Sequence, residues 1–176
     1  MSRIAAWAAA FFFGLVACTA SASEKRHALG PKSCFGSPLP GEWTISRKFH
    51  DPKYEYRKII EHTGIDIPAD VGTDVYAPVG GTIIAAGADA QDNNMVVVRV
   101  SKRVRYRVMH LSAIMVEKGQ VVKRGDVLGL SGGEVGAKGS GPMTTGPHLH
   151  LDVDLDGRFI DPAPLLCPDA GPTPRK

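Results

Sequence analysis

No segment of the sequence sustains an apolar period of 3.6 residues without interruption by glycine or proline, so no long helix is expected. Charge of one sign is equally scarce in excess. The 21 Lys and Arg stand against 18 Asp and Glu, a formal net charge of +3 spread among acidic neighbours, which gives no reason to invoke nucleic acid as a partner. No internal repeat is evident. A phosphate loop is excluded as well. Residues 132–139 approach the pattern G-x-x-x-x-G-K-[ST], but Ala137 stands where the second glycine belongs and Gly139 where the hydroxyl belongs, and no helix pattern follows. The glycine-rich stretch 132–146 reads instead as a loop leading into the next strand and a candidate wall of a substrate cleft.

An apolar run of membrane-spanning length is also missing. Residues 4–16 are apolar but fall short of the roughly 20 needed to cross a bilayer. With Arg3 before them and Ala17-Cys18-Thr19-Ala20-Ser21-Ala22 after them, they form the three-part layout of an export signal over 1–22. Two processing sites compete: the small-x-small Ala20-Ser21-Ala22, and the lipobox-like Leu15-Val16-Ala17-Cys18, which would leave Cys18 lipidated as the sole route to a membrane. Either way the chain is expected outside the cytoplasm, in the periplasm or cell envelope or secreted. There are three cysteines. With Cys18 removed or acylated, Cys34 and Cys167 remain as the candidates for a bridge, and a disulfide between them is expected in an oxidising compartment. Residues 23–40 are rich in Ser, Lys, Gly and Pro and read as a linker, 41–167 as one domain, and 168–176 as a flexible tail. Oligomeric state is not legible.

Within the domain, short β-branched runs alternate with turn residues. Residues 74–77, 82–86 and 95–100 are separated by Pro78-Val79-Gly80-Gly81 and Asp92-Asn93-Asn94, the pattern of successive hairpins. Residues 103–111 alternate strictly. Val104, Tyr106, Val108 and His110 fall on one face, and Arg103, Arg105, Arg107 and Met109 on the other, where the arginines are expected to be solvated. The fold class that follows is all-β, with antiparallel sheets forming a compact sandwich or partly open barrel and few or no helices.

Chemistry concentrates in four of the six histidines, which sit in His62-Thr63-Gly64-Ile65-Asp66, Met109-His110-Leu111 and Gly146-Pro147-His148-Leu149-His150. His27 and His50 lack such partners and read as ordinary residues. On an extended strand His148, His150, Asp152 and Asp154 share one face, with the two imidazoles roughly 6.6 Å apart at Cα. One ligand and one catalytic partner is the simplest division of that pair. His62 and Asp66 would be separated by about 13 Å along a straight strand, so a bend is expected between them, with Gly64 supplying the dihedral freedom. Two histidines and a carboxylate, with a fourth position left for water, suit a catalytic rather than a structural zinc.

These same segments carry a family resemblance. His62 to Ile67, Met109 to Leu111 and Thr145 to His150 resemble the motifs of lysostaphin-type (LytM) zinc metallopeptidases, peptidoglycan hydrolases. The likeness extends through Val75-Tyr76-Ala77-Pro78, Lys123 to Gly129 and Gly157 to Pro162, so it covers roughly residues 41–166. The resemblance implies one zinc ion held by His62, Asp66 and His150, with His110 and His148 beside it as acid-base and transition-state residues. It further implies a peptidoglycan peptide as substrate, either a direct cross-link or a glycyl bridge. Which histidine is the base stays open. Asp152 is a candidate to orient a ligating imidazole, and Tyr54 and Tyr56 are candidates to line the cleft. The alternative is a non-catalytic module of the same family that binds or regulates at the wall. A lipoyl-carrier-like domain, suggested by the turns around Gly119 and Gly125, has no use for five converging site residues.

Overall fold

The computed structural model describes residues 34–56 and 58–167. The export signal, Cys18, His27 and the tail from 168 lie outside the described residues. Ten strands follow in order: β1 (Gly64–Pro68), β2 (Asp74–Tyr76), β3 (Gly81–Ala88), β4 (Asn94–Arg99), β5 (Val104–Met109), β6 (Leu111–Ile114), β7 (Val121–Val122), β8 (Val127–Ser131), β9 (His148–Leu155) and β10 (Arg158–Ile160). The only helical element among the described residues is a 3-10 turn, Ala163–Leu165.

Two sheets form, and every pairing between the strands is antiparallel. The large sheet runs β1-β9-β5-β4-β3-β7, with β10 extending the β1 edge along the end of β9; the small one runs β2-β8-β6. Their inner faces make the core. Alternate residues of the long strands point into it: Ile65 and Ile67, Val96 and Val98, Val104, Tyr106 and Val108, then Leu149, Leu151 and Val153. Val75, Leu111 and Leu128 answer from the small sheet. Each such aliphatic side chain contributes roughly 1.5–3 kcal/mol on burial. Tyr106 is buried without an orphaned hydroxyl, which donates to Val79 O at 3.0 Å.

Two local expectations are corrected here. The Pro78–Gly81 turn joins no hairpin, because β2 pairs with β8 in the small sheet while β3 belongs to the large one. Turn chemistry reports a reversal but not which partner the next strand takes. Second, the face alternation of residues 103–111 stops at Met109. His110 lies between β5 of the large sheet and β6 of the small sheet, with φ of 62°. That left-handed backbone, sparsely populated by residues other than glycine, turns the chain from one sheet to the other. His110 therefore leaves the apolar face on which strict alternation put it.

Residues 34–40, linker-like in composition, supply Phe35 and Leu39 to the core. Phe35 bridges to Leu166: its N–H donates to Leu165 O and its carbonyl accepts from Cys167 N–H, both at 3.0 Å. The neighbouring Cys34 and Cys167 form the disulfide expected from the sequence, with Cα atoms 5.7 Å apart across 133 residues of chain. Replacing both cysteines by serine is expected to lower the unfolding free energy by about 2–5 kcal/mol, since so long a loop is closed. Urea denaturation in oxidising buffer measures it, and an unchanged midpoint would count against the bridge as a stabilising clasp.

Candidate metal centre

Register builds the site. In the β1–β9 ladder Asp66 faces His150, Pro68 faces His148 and Gly64 faces Asp152, so the polar side of β9 meets the carboxylate of β1. Asp66 Oδ1 lies 2.8 Å from His150 Nδ1 and 3.0 Å from His62 Nε2, and the two nitrogens are 3.2 Å apart. All three residues are buried, and their donor atoms lie within 4.8 Å of one another. His62 precedes β1. Its Nδ1–H donates to Lys48 O at 2.7 Å and its carbonyl accepts from His50 N–H, while Ser46 and Arg47 exchange backbone hydrogen bonds with Asp66. Residues 46–50 thus run beside residues 62–66 and hold the imidazole over the carboxylate.

The meeting of His62 and Asp66 expected from a bend at Gly64 is reached without a left-handed glycine and without a bulge inside β1. Gly64 has no positive φ, and the β1–β9 register runs from Gly64 to Pro68 without a shift. What Gly64 supplies is space. A Cβ there would lie 2.2 Å from Leu151 O and 2.8 Å from His150 Nε2, so any side chain would collide with the strand and the imidazole it faces.

His110 and His148 stand beside this cluster, their ring centroids 4.7 Å apart. His110 Nδ1–H donates to Ser140 O at 2.8 Å and His148 Nδ1–H to Gly146 O at 2.7 Å. A carbonyl can only accept, so in both rings Nδ1 carries a proton, and in the neutral ring the lone pair falls to Nε2. His148 Nε2 is 3.7 Å from Asp66 Oδ1. The loop 132–146 that carries Ser140 and Gly146 is tied to the β3–β4 turn by the Asn93–Ser140 bridge and by Asn94 N–H donating to Gly139 O at 2.7 Å. Tyr54, Ile60, Arg107, Met109 and Met143 line a pocket together with His62, His110 and His150. Tyr54 packs 4.6 Å from the His62 ring, while Tyr56 donates its hydroxyl to Thr144 O at 3.4 Å. Arg107 and Met109 were not singled out as site residues from sequence, although their parity with the histidine face of β9 becomes readable once β5 is known to pair with β9. His50 is exposed, with Nε2 3.3 Å from Glu61.

The electrostatics call for positive charge. Against burial, which opposes its ionisation, hydrogen bonds from His150 and His62 hold the Asp66 carboxyl well below the ordinary carboxylate range. Burial likewise opposes charge on His150, yet Asp152 and Asp66 outweigh it and raise the imidazole to about 9. Burial, and then the nearby His148 and His150, push His110 the other way, down to about 3. Two ring nitrogens and a carboxylate oxygen converge at 2.8–3.2 Å, so a cation placed among them would find three donor atoms already gathered. The donor set of two histidines and one aspartate fits a divalent metal of the zinc type, and this is a candidate metal-binding site.

Comparison with known proteins agrees. The family model described as Peptidase family M23 matches residues 60–162. The chain is 32% identical over 142 residues to the peptidoglycan DD-endopeptidase ShyA of Vibrio cholerae, covering 79% of this chain and 31% of that protein. It is 36% identical over 107 residues to the DD-carboxypeptidase/endopeptidase Mpg of Neisseria meningitidis, covering 61% and 23%. The chain therefore spans less than a third of the length of these curated relatives. Among solved structures, a zinc-containing peptidase from Vibrio cholerae superposes with a TM-score of 0.59 at 30% identity, over 72% of this chain and 38% of that one. With more than half of its 176 residues matched by the model of peptidase family M23, and with a fold and a buried His/His/Asp cluster in keeping with it, the chain belongs to that family.

Proposed function

We propose that the domain is a zinc-dependent endopeptidase that hydrolyses peptide cross-links or bridges of bacterial peptidoglycan, acting in the cell envelope after export. In this reading His62, Asp66 and His150 hold the zinc, and His110 and His148 are the catalytic pair. The observation that carries it is the meeting of these five side chains, drawn from three distant segments, in one cluster. The names of the relatives, a DD-endopeptidase and a DD-carboxypeptidase/endopeptidase, favour a direct cross-link involving D-amino acids over a glycyl bridge. A domain over residues 41–167, extended at its N-terminal edge by the packed residues from Cys34, would carry the activity. The export signal, with cleavage after Ala22 or lipidation at Cys18, would deliver it.

Zinc would supply Lewis acidity at the scissile carbonyl and acidify the attacking water. The protein supplies the proton path and the charge stabilisation. His110 is uncharged at neutral pH, and its Nε2 lone pair is free because Nδ1–H is committed to Ser140 O. His148 presents Nε2 in the same way through its bond to Gly146 O. One of the pair accepts the proton of the attacking water at Nε2 and returns it to the leaving amine; the other stabilises the developing oxyanion when its own Nε2 carries a proton.

His62→Ala, Asp66→Ala and His150→Ala are expected to lose both zinc and cleavage. His110→Ala and His148→Ala should keep close to one zinc per chain and lose roughly 10²–10⁴ in turnover. Zinc analysis together with mass spectrometry of digested cross-linked muropeptides measures both, and full turnover in either of the last two variants would remove the catalytic assignment. A parent protein that holds zinc and cleaves nothing would instead identify a binding module. The pH dependence has a sign as well. Zinc must displace the proton that His150 retains up to about 9, so falling pH weakens zinc binding. The acid limb of kcat/KM is therefore expected to move to lower pH when free zinc is raised. A limb indifferent to zinc would mean that it reports another group.

A further inference from the structure

On the outer face of the large sheet, two arginine–aspartate pairs join β5 and β9, Arg105–Asp154 and Arg107–Asp152, and a third, Arg103–Asp156, lies just beyond their ends. The arginine face read from the sequence as solvated is exposed at Arg103 and Arg105, and all three arginines are in addition paired across the strands. The three pairs are not equivalent. Side-chain exposure of arginine and aspartate falls from 60% and 48% in the first, through 48% and 14%, to 27% and 2% in the last, which lies against the candidate metal centre. Exposed pairs contribute little to stability, and a buried one must overcome the cost of removing two charges from water. A buried pair is therefore weak as a stabilising device, and the reason for Arg107–Asp152 has to be sought in what it touches.

It touches His150. Arg107 donates to Asp152 Oδ2 through Nε at 2.9 Å and through Nη2, and the same oxygen stands 3.6 Å from His150 Nε2. The other ring nitrogen, Nδ1, is the one that faces Asp66 and His62. The space that allows this is again Gly64, which pairs with Asp152 in the ladder and whose missing Cβ would crowd His150 Nε2. The Arg107 guanidinium also lies over the Phe159 ring, 5.5 Å from its centroid, so the arginine is seated from a second direction.

We propose that Asp152, fixed by Arg107, is a positioning residue for His150. It draws the imidazole proton to Nε2 and sets the ring so that the Nδ1 lone pair points at the metal position. The proposal rests on His150 being a metal ligand, as read above. Neither Arg107 nor Asp152 contacts the metal position; both act through the ring. Because the fork of Arg107 closes on the one oxygen that faces the imidazole, loss of the arginine frees Asp152 to rotate and weakens the effect without abolishing it.

The test is the zinc dissociation constant of the full-length protein, measured by competition with a chromophoric chelator. Asp152→Ala is expected to bind zinc about 10–100-fold more weakly than the parent, and Asp152→Asn, which keeps an acceptor oxygen, to recover most of that loss. Arg107→Met should fall in between. Asp154→Ala removes the neighbouring pair without touching His150 and should stay within about twofold. The double variant Arg107→Met/Asp152→Leu leaves no unpaired buried charge and is expected to remain folded by circular dichroism, yet to bind zinc as weakly as Asp152→Ala. Parent-like affinity in Asp152→Ala or in the double variant, or an equal loss in Asp154→Ala, would overturn the proposal while leaving the ligand assignment intact. A parent protein whose zinc affinity is unaffected by His150→Ala would overturn both.

Discussion

The meeting of Asp66 with His150 and His148 depends on one backbone ladder, the antiparallel pairing of Gly64–Pro68 with β9. Side chains in a strand alternate with a period of two, so a slip by one residue would turn the whole polar set of one strand away from the other. The apolar residues hold the register. Ile65 and Ile67 share the core with Leu149 and Leu151, and moving them to the outer face would forfeit their burial. The same packing that stabilises the sheet thus determines that Asp66 meets His150, and the polar cluster is carried by the core rather than holding itself together.

A second constraint acts on protons. In His62, His110 and His148 a backbone carbonyl takes the Nδ1 proton, from Lys48, Ser140 and Gly146 respectively, and leaves Nε2 as the basic atom. His150 is turned the other way, with Nδ1 toward Asp66 and Nε2 toward Asp152. Loops that touch no metal therefore fix which atom of each ring is available for chemistry. The strained His110 backbone belongs to this arrangement. It changes sheets at the residue that must face the pocket, and the carbonyl that receives its proton sits on the loop pinned to the β3–β4 turn.

Much of this was legible in the sequence wherever the information is local and periodic. Alternation in residues 148–155 gave both the core face and the histidine face of β9, and the absence of a helical period predicted the all-β fold. The grouping of His62, Asp66 and His150 is read through the motif resemblance, since straight-strand spacing sets His62 and Asp66 too far apart to meet. What escaped was information held by partners. Nothing near residues 103–107 says that β9 brings aspartates into register with the arginines, and nothing near residue 78 says that β3 leaves β2 for another sheet. Phe35 and Leu39 were hidden in a stretch whose composition is that of a linker, since two apolar residues carry no period. At His110 the sequence misled, because alternation assumes a backbone that the crossing between sheets interrupts.

The clasp of Cys34 and Phe35 with Leu166 and Cys167 fixes entry and exit of the packed body at a single point. A covalent link there short-circuits mechanical load: tension applied between the segments before Cys34 and after Cys167 passes through the sulfur bridge instead of through β1 and β9. Such a body can be tethered at either end, or spliced into a longer chain, while its ladder of histidines and carboxylate carries no strain from the attachment.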